Sequence, residues 1–185
     1  EPRPQLSRFW SYGSPILALV ITVLIGVALF ALLGKDPVKG LLVFFWEPIK
    51  SGYALGELMV KATPLLIIAL GLAVCFRSNV WNIGAEGQFV MGAIAAGGVA
   101  LLADKGTGPW IVLPILMAGI LGGMVWAGIV AFLRDSFNAN EILVSLMLVY
   151  VATLLLGYMV YGPWKDPAGY NFPQTKTFDA VTQIP

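Results

Sequence analysis

The sequence predicts an all-α fold, a polytopic transmembrane helical bundle. Three observations carry this. Hydrophobic residues make up 58% of the 185-residue chain and charged residues 11%, against about 25% charged in a soluble domain. Mean hydropathy is +0.84. The apolar residues also gather into runs of the length a helix needs, about 20 residues, to cross a hydrocarbon core about 30 Å thick. Finally, aromatic residues suited to the headgroup level stand at the ends of those runs: Trp10 and Tyr12, Trp81, Trp110, then Tyr158, Tyr161 and Trp164. Trp126 is the exception, expected within the bilayer.

Five spans follow in order. Residues 1–14 precede the first, 15–33, which is too long for a signal-peptide core of roughly 7–15 residues. The second, 53–76, has its apolar centre after Thr63 and a kink expected at Pro64. The third is 83–103, the fourth 109–133 and the fifth 139–161. Residues 34–62 read as an interfacial or partly re-entrant element leading into the second span. In it, 41–46 is apolar but too short to cross, and Glu57 and Lys61 are spaced for a helix-surface pair. Residues 162–185 carry enough proline and glycine to predict a structured extramembrane loop that could dock a partner protein.

Composition also excludes functions. A net charge of +1 gives no nucleic-acid footprint. Cys75 is the single cysteine and has no metal-ligand spacing, and histidine is absent. No Walker A phosphate loop is present, so this chain is expected to bind no ATP. No catalytic residue or metal ligand is assigned, which argues against an enzyme.

Two polar junctions interrupt the apolar runs. The first is Asn79-Val-Trp-Asn-Ile-Gly-Ala-Glu-Gly-Gln88. A carboxylate beside hydrocarbon needs a partner or a water-filled path. Asn82 is placed to cap the third helix, with Glu86 in its first turn. Asn82, Glu86 and Gln88 therefore read as a broken helix end lining or gating a solute path. They also read as a plain cap, with Glu86 bonded to backbone or to Arg77. The two readings are compatible. The second junction is Arg134-Asp-Ser-Phe-Asn-Ala-Asn-Glu141. Asn138 as N-cap with Glu141 three residues on resembles a capping box. The sharper reading puts Asn140 and Glu141 at a gate or subunit contact.

Small residues recur every four positions at Gly92, Ala96 and Ala100, and at Gly119, Gly123, Ala127 and Ala131. Such rows let membrane helices approach closely. Gln88 lies one step earlier on the first row, placed to reach a polar partner. In the fifth span, Ser145, Tyr150 and Thr153 are the polar side chains, each able to bond within its helix or across to a neighbour.

Taken together, Lys61-Ala-Thr-Pro64, Phe76-Arg-Ser-Asn-Val-Trp-Asn-Ile-Gly-Ala-Glu-Gly-Gln88, Asn140-Glu-Ile-Leu143, Gly162-Pro-Trp-Lys-Asp-Pro167 and Asn171-Phe-Pro-Gln-Thr175 resemble the permease subunits of bacterial ABC importers for nucleosides and simple sugars. That group is related to ribose and branched-chain amino acid permeases. The resemblance runs from about Gly52 to about Thr177. It implies the N-terminal half of a permease in the bacterial inner (plasma) membrane. It further implies a second permease subunit, two ATPase subunits that use ATP and Mg, and an extracytoplasmic solute-binding protein. Solute would pass by alternating access, and Asn171, Phe172 and Pro173 would lie near the binding protein. Family members often carry asparagine where this chain has Val149, which removes that polar contact.

The resemblance also favours an inside N-terminus, with 1–14 cytoplasmic and 162–185 outside. The charge count opposes this, since it leaves four arginines inside and all seven lysines outside. The chain opens on Glu1 and closes on Pro185, and is read as a piece whose C-terminal half is missing. A secondary transporter driven by an ion gradient is the alternative. It would also use glycine-broken helices, but usually buries ionisable groups at mid-membrane.

Overall fold

The computed structural model describes residues 8–104, 106–170 and 172–182. These contain six α-helices and no strand. They divide into two compact units, one up to Ile67 and the other from Ile68.

In the first unit, α1 (Arg8–Leu32) carries the first apolar run. It begins earlier than expected, so part of 1–14 is helical. Gly34 at φ 67° ends it. The Lys35 and Gly34 N–H groups return to the carbonyls of Phe30 and Ala31, at 2.9 and 3.0 Å. Asp36 then caps α2 (Pro37–Phe45), accepting from the Val38 and Lys39 N–H groups at 2.9 and 3.3 Å. Gly40 of α2 lies so near the Phe30 ring that a Cβ there would be 2.8 Å from it.

α3 (Gly52–Arg77) is one long helix with Pro64 inside it, and it runs on into the second unit. This corrects the expectation for 34–62. The Glu57–Lys61 pair, at 3.9 Å, sits on α3 itself. The stretch outside a long helix shrinks to 33–51, because the residues from Gly52 to Pro64 include good helix formers such as Ala54, Leu55, Glu57, Leu58 and Met59, which outweigh Gly56.

In the second unit, α4 (Ala85–Ala100) packs on α5 (Val112–Phe137) and on α6 (Glu141–Tyr161). Small residues make this possible. A Cβ on Gly92 would stand 2.9 Å from the Gly119 carbonyl oxygen, and one on Gly122 only 2.6 Å from the Ala95 Cβ. On the other side, a Cβ on Gly87 would be 3.0 Å from the Val149 Cα.

The helix in the expected third span is shorter than 83–103. α4 has 16 residues, or about 24 Å, rather than the whole of 83–103. Ile83 and Gly84 lie outside the helix, Gly84 at φ −90° and ψ 12°, and the helix stops at Ala100. Among the described residues, four helical stretches are long and apolar enough to cross a membrane: Tyr12–Leu32, Gly52–Arg77, Pro109–Phe137 and Glu141–Tyr161. The fourth continues past residue 133 to Phe137, and the fifth starts at Glu141 rather than 139.

After α6 the chain folds back over the far end of α4. Trp164 lies 3.4 Å from the Cβ position of Gly98, and Phe178 lies 3.8 Å from that of Gly97. Lys165 and Thr175 form an isolated antiparallel bridge. The Gln174 amide donates to Asp166 at 3.2 Å.

Among the described residues the buried apolar side chains are few: Ile94, Ala100, Ile111 and Ala152. Large apolar side chains such as Ile16, Leu70, Leu113 and Leu154 face outward. A surface of that kind suits hydrocarbon or a partner helix, not water.

Candidate functional site at the polar end of the bundle

Two residues past the end of α3, Asn79 has a φ of 55°, which asparagine tolerates. The Asn79 and Val80 N–H groups close back on the carbonyls of Phe76 and Cys75 at 3.1 and 2.9 Å. Residues 80–84 then run outside any helix before α4 begins. Non-helical backbone inside a membrane bundle must find partners for its N–H groups, and here side chains supply three of them. Trp81 N–H donates to Glu141 Oε1 at 3.2 Å. Ile83 N–H donates to Ser145 Oγ at 3.3 Å, and Gly84 N–H to Asn82 Oδ1 at 2.9 Å. Gly84 is required at this point, since a Cβ would lie 2.9 Å from that of Ser145.

Asn82 therefore does not cap α4. The cap position is Gly84, with no side-chain cap bond. Asn82 instead braces the break and pairs with Gln88 through two amide hydrogen bonds, both 3.2 Å. Asn138 is not an N-cap either. At φ 51° it ends α5, and its N–H returns to the Leu133 carbonyl. Asn140 caps α6, accepting from Ile142 and Leu143 N–H at 3.0 and 3.3 Å. Glu141 is thus the first residue of α6 rather than the third residue after the cap. The turn holds only three residues, so one asparagine ends a helix and another starts the next.

Glu141 joins three segments. Besides Trp81 N–H, it accepts from Arg134 Nε at the end of α5, at 2.9 Å, with its own side chain 17% exposed. Ser145, fully buried, also donates to the Ile142 carbonyl at 3.1 Å. We expect Ser145→Ala to leave the Ile83 N–H unpaired and to cost about 1–2 kcal/mol, read as a lower melting temperature in detergent.

Glu86 occupies the first turn of α4 as expected, yet it makes no bond to Arg77 or to backbone among the described residues. It is exposed, on the one strip of α4 left uncovered, with Phe89 and Ala93. Its carboxylate stabilises little within the bundle. Glu86→Ala should change folded stability by no more than about 0.5 kcal/mol, read as an unchanged melting temperature in detergent. A large drop would show a structural role.

Asn82, Gln88, Arg134, Asp135, Asn138 and Glu141 line a cleft of about 630 Å³ over a floor that includes Ala127 and Ala131, whereas Glu86 and Asn140 do not line it. Gly92, Ala96, Gly119 and Gly123 lie beyond it, between α4 and α5. The cleft offers amides, a guanidinium and carboxylates for hydrogen bonding. No group of residues suited to holding a metal ion occurs among the described residues. Phe172 and Pro173 are exposed in the loop after α6. Asn171 lies outside the described residues. The two glycines of the first junction, Gly84 and Gly87, are both points of close approach, as their place in it suggests. Sequence reasoning missed Gly122 and the bracing role of Ser145.

Residues 54–184 match the family described as branched-chain amino acid transport system / permease component. The glucose ABC transporter permease protein TsgB13 of Haloferax volcanii is 34% identical over 100% of this chain and 48% of its own length. The guanosine ABC transporter permease protein NupP of Bacillus subtilis is 27% identical over 79% of this chain and 42% of its own. The nucleoside ABC transporter permease protein NupB of Lactococcus lactis is 25% identical over 80% and 40%. The chain thus spans about half the length of the curated relatives it matches. No solved structure gives a significant match. With its long apolar helices, the chain belongs to this permease family and is a multi-pass integral protein of the cell membrane.

Proposed function

We propose that the chain forms part of the permease subunit of an ATP-driven, binding-protein-dependent importer for nucleosides or simple sugars. The observation that carries this is the break at 80–84. A backbone held by Glu141, Ser145 and Asn82 side chains can be repositioned without unwinding a helix, which suits a pathway end that opens and closes. The names of the relatives supply the solute classes.

In this reading Asn82, Glu86, Gln88, Asn140 and Glu141 form the cytoplasmic gate. The loop carrying Asn171, Phe172 and Pro173 faces the solute-binding protein outside. A second permease subunit completes the path, and two ATPase subunits bind and hydrolyse MgATP. Nucleotide shifts the permease between its two facing states through contacts that differ in each. This chain carries solute and catalyses no reaction.

The test is coupling. The full-length permease is reconstituted with its ATPase subunits, and hydrolysis is measured with and without solute-loaded binding protein. Stimulation by the loaded binding protein is expected. Hydrolysis indifferent to both permease and binding protein would contradict the assignment.

A further inference from the structure

Hydroxyl groups inside long apolar helices need partners, because an unpaired one in hydrocarbon is costly. Those of Thr22, Thr63, Ser145 and Thr153 donate to carbonyls of the preceding turn, at 2.8, 2.8, 3.1 and 3.0 Å. Tyr12, Tyr53, Tyr158 and Tyr161 lie close to helix ends, where a phenol reaches the headgroup level. Tyr150 has neither solution. It sits in the middle of the 21-residue α6, roughly 14 Å from the nearer end at the usual helical rise, beyond the reach of its side chain. It is 64% exposed, and its hydroxyl has no partner among the described residues.

The direction it faces is fixed by the rest of α6. Ser145 and Ala152 are buried, and Val149 abuts Gly87 of α4. Tyr150 looks away from that contact, on a face shared with Met147, Leu154 and Tyr158, all well exposed.

We infer that this face of α6 lines the solute path, and that Tyr150 is a solute-contacting, specificity-determining residue. Its hydroxyl bonds a sugar or ribose hydroxyl, and its ring offers a stacking surface to a nucleobase or the apolar face of a sugar. Tyr158 repeats that surface two turns further along. This rests on the importer reading above, but its own evidence is the unpaired hydroxyl at mid-depth.

The test uses the full-length permease in its assembly, with Cys75→Ser to remove the native thiol. Tyr150→Cys and, for comparison, Met124→Cys on the outward face of α5 (62% exposed) are treated with a charged, water-soluble thiol reagent. The Tyr150→Cys variant should label, and guanosine or glucose should slow its labelling, while Met124→Cys stays unlabelled. Tyr150→Phe should leave folded yield unchanged and weaken uptake of the same solutes about tenfold, the size of one lost hydrogen bond.

Failure of Tyr150→Cys to label, with unchanged uptake by Tyr150→Phe, would place the face in lipid and overturn the inference. A disulfide-linked dimer of Tyr150→Cys that no solute disrupts would place it against a second copy and overturn it equally. Solute protection in a protein whose uptake follows an ion gradient would uphold the contact and overturn the importer reading.

Discussion

Glu141→Ala is expected to abolish transport and to lower stability by about 2 kcal/mol. One carboxylate accepts from the Trp81 N–H at 3.2 Å and from Arg134 Nε at 2.9 Å. Its removal leaves a backbone donor unpaired in a membrane bundle and a guanidinium without its counter-charge. Breaking a buried pair costs about 3–5 kcal/mol. The Arg134 side chain is 40% exposed, so water recovers part of that. Glu141→Gln separates the two contacts. Its amide oxygen still accepts from Trp81, while the ion pair is gone, so it should fall between wild type and Glu141→Ala. Melting in detergent and vesicle uptake together check the order. Glu141→Gln as damaging as Glu141→Ala would make the ion pair, not the tether to Trp81, the main contribution.

The second large effect is expected at the α4–α5 seam. Gly92→Leu should cost about 3 kcal/mol or prevent the helices from docking, because overpacking a close contact costs about 1–3 kcal/mol and this neighbour is backbone. A Cβ alone would lie 2.9 Å from the Gly119 carbonyl oxygen. Gly128 supplies the contrast on the same pair of helices. Nothing lies within 4 Å of its Cβ position, so Gly128→Ala should be neutral or slightly stabilising through helix propensity. Yield of monodisperse protein after extraction, followed by a melt, measures both.

The long helices were legible because a hydrocarbon solvent imposes a length and a composition that hydropathy reports directly. The rows containing Gly92 and Gly119 were legible from four-residue spacing. Gly122 was not, since helix surfaces pair through rows of three as well as four. The helix ends within the third span were not legible because Ile83 and Leu101 are as apolar as helical residues. What holds the Ile83 N–H outside the helix is Ser145, 62 positions away. Glu141 reaches Trp81 across 60. Local spacing identified the polar junctions but gave no sign that they meet. It also assigned the capping role to Asn138 rather than Asn140, because both asparagines precede the same apolar run.

The most direct test of the importer assignment is uptake by vesicles holding the full-length permease, its ATPase subunits and its binding protein. Labelled nucleosides and simple sugars are offered, with ATP inside and ionophores present. Uptake that requires ATP and survives the ionophores is the predicted result. Uptake that ignores ATP and collapses with the ion gradient would contradict it and identify a secondary transporter.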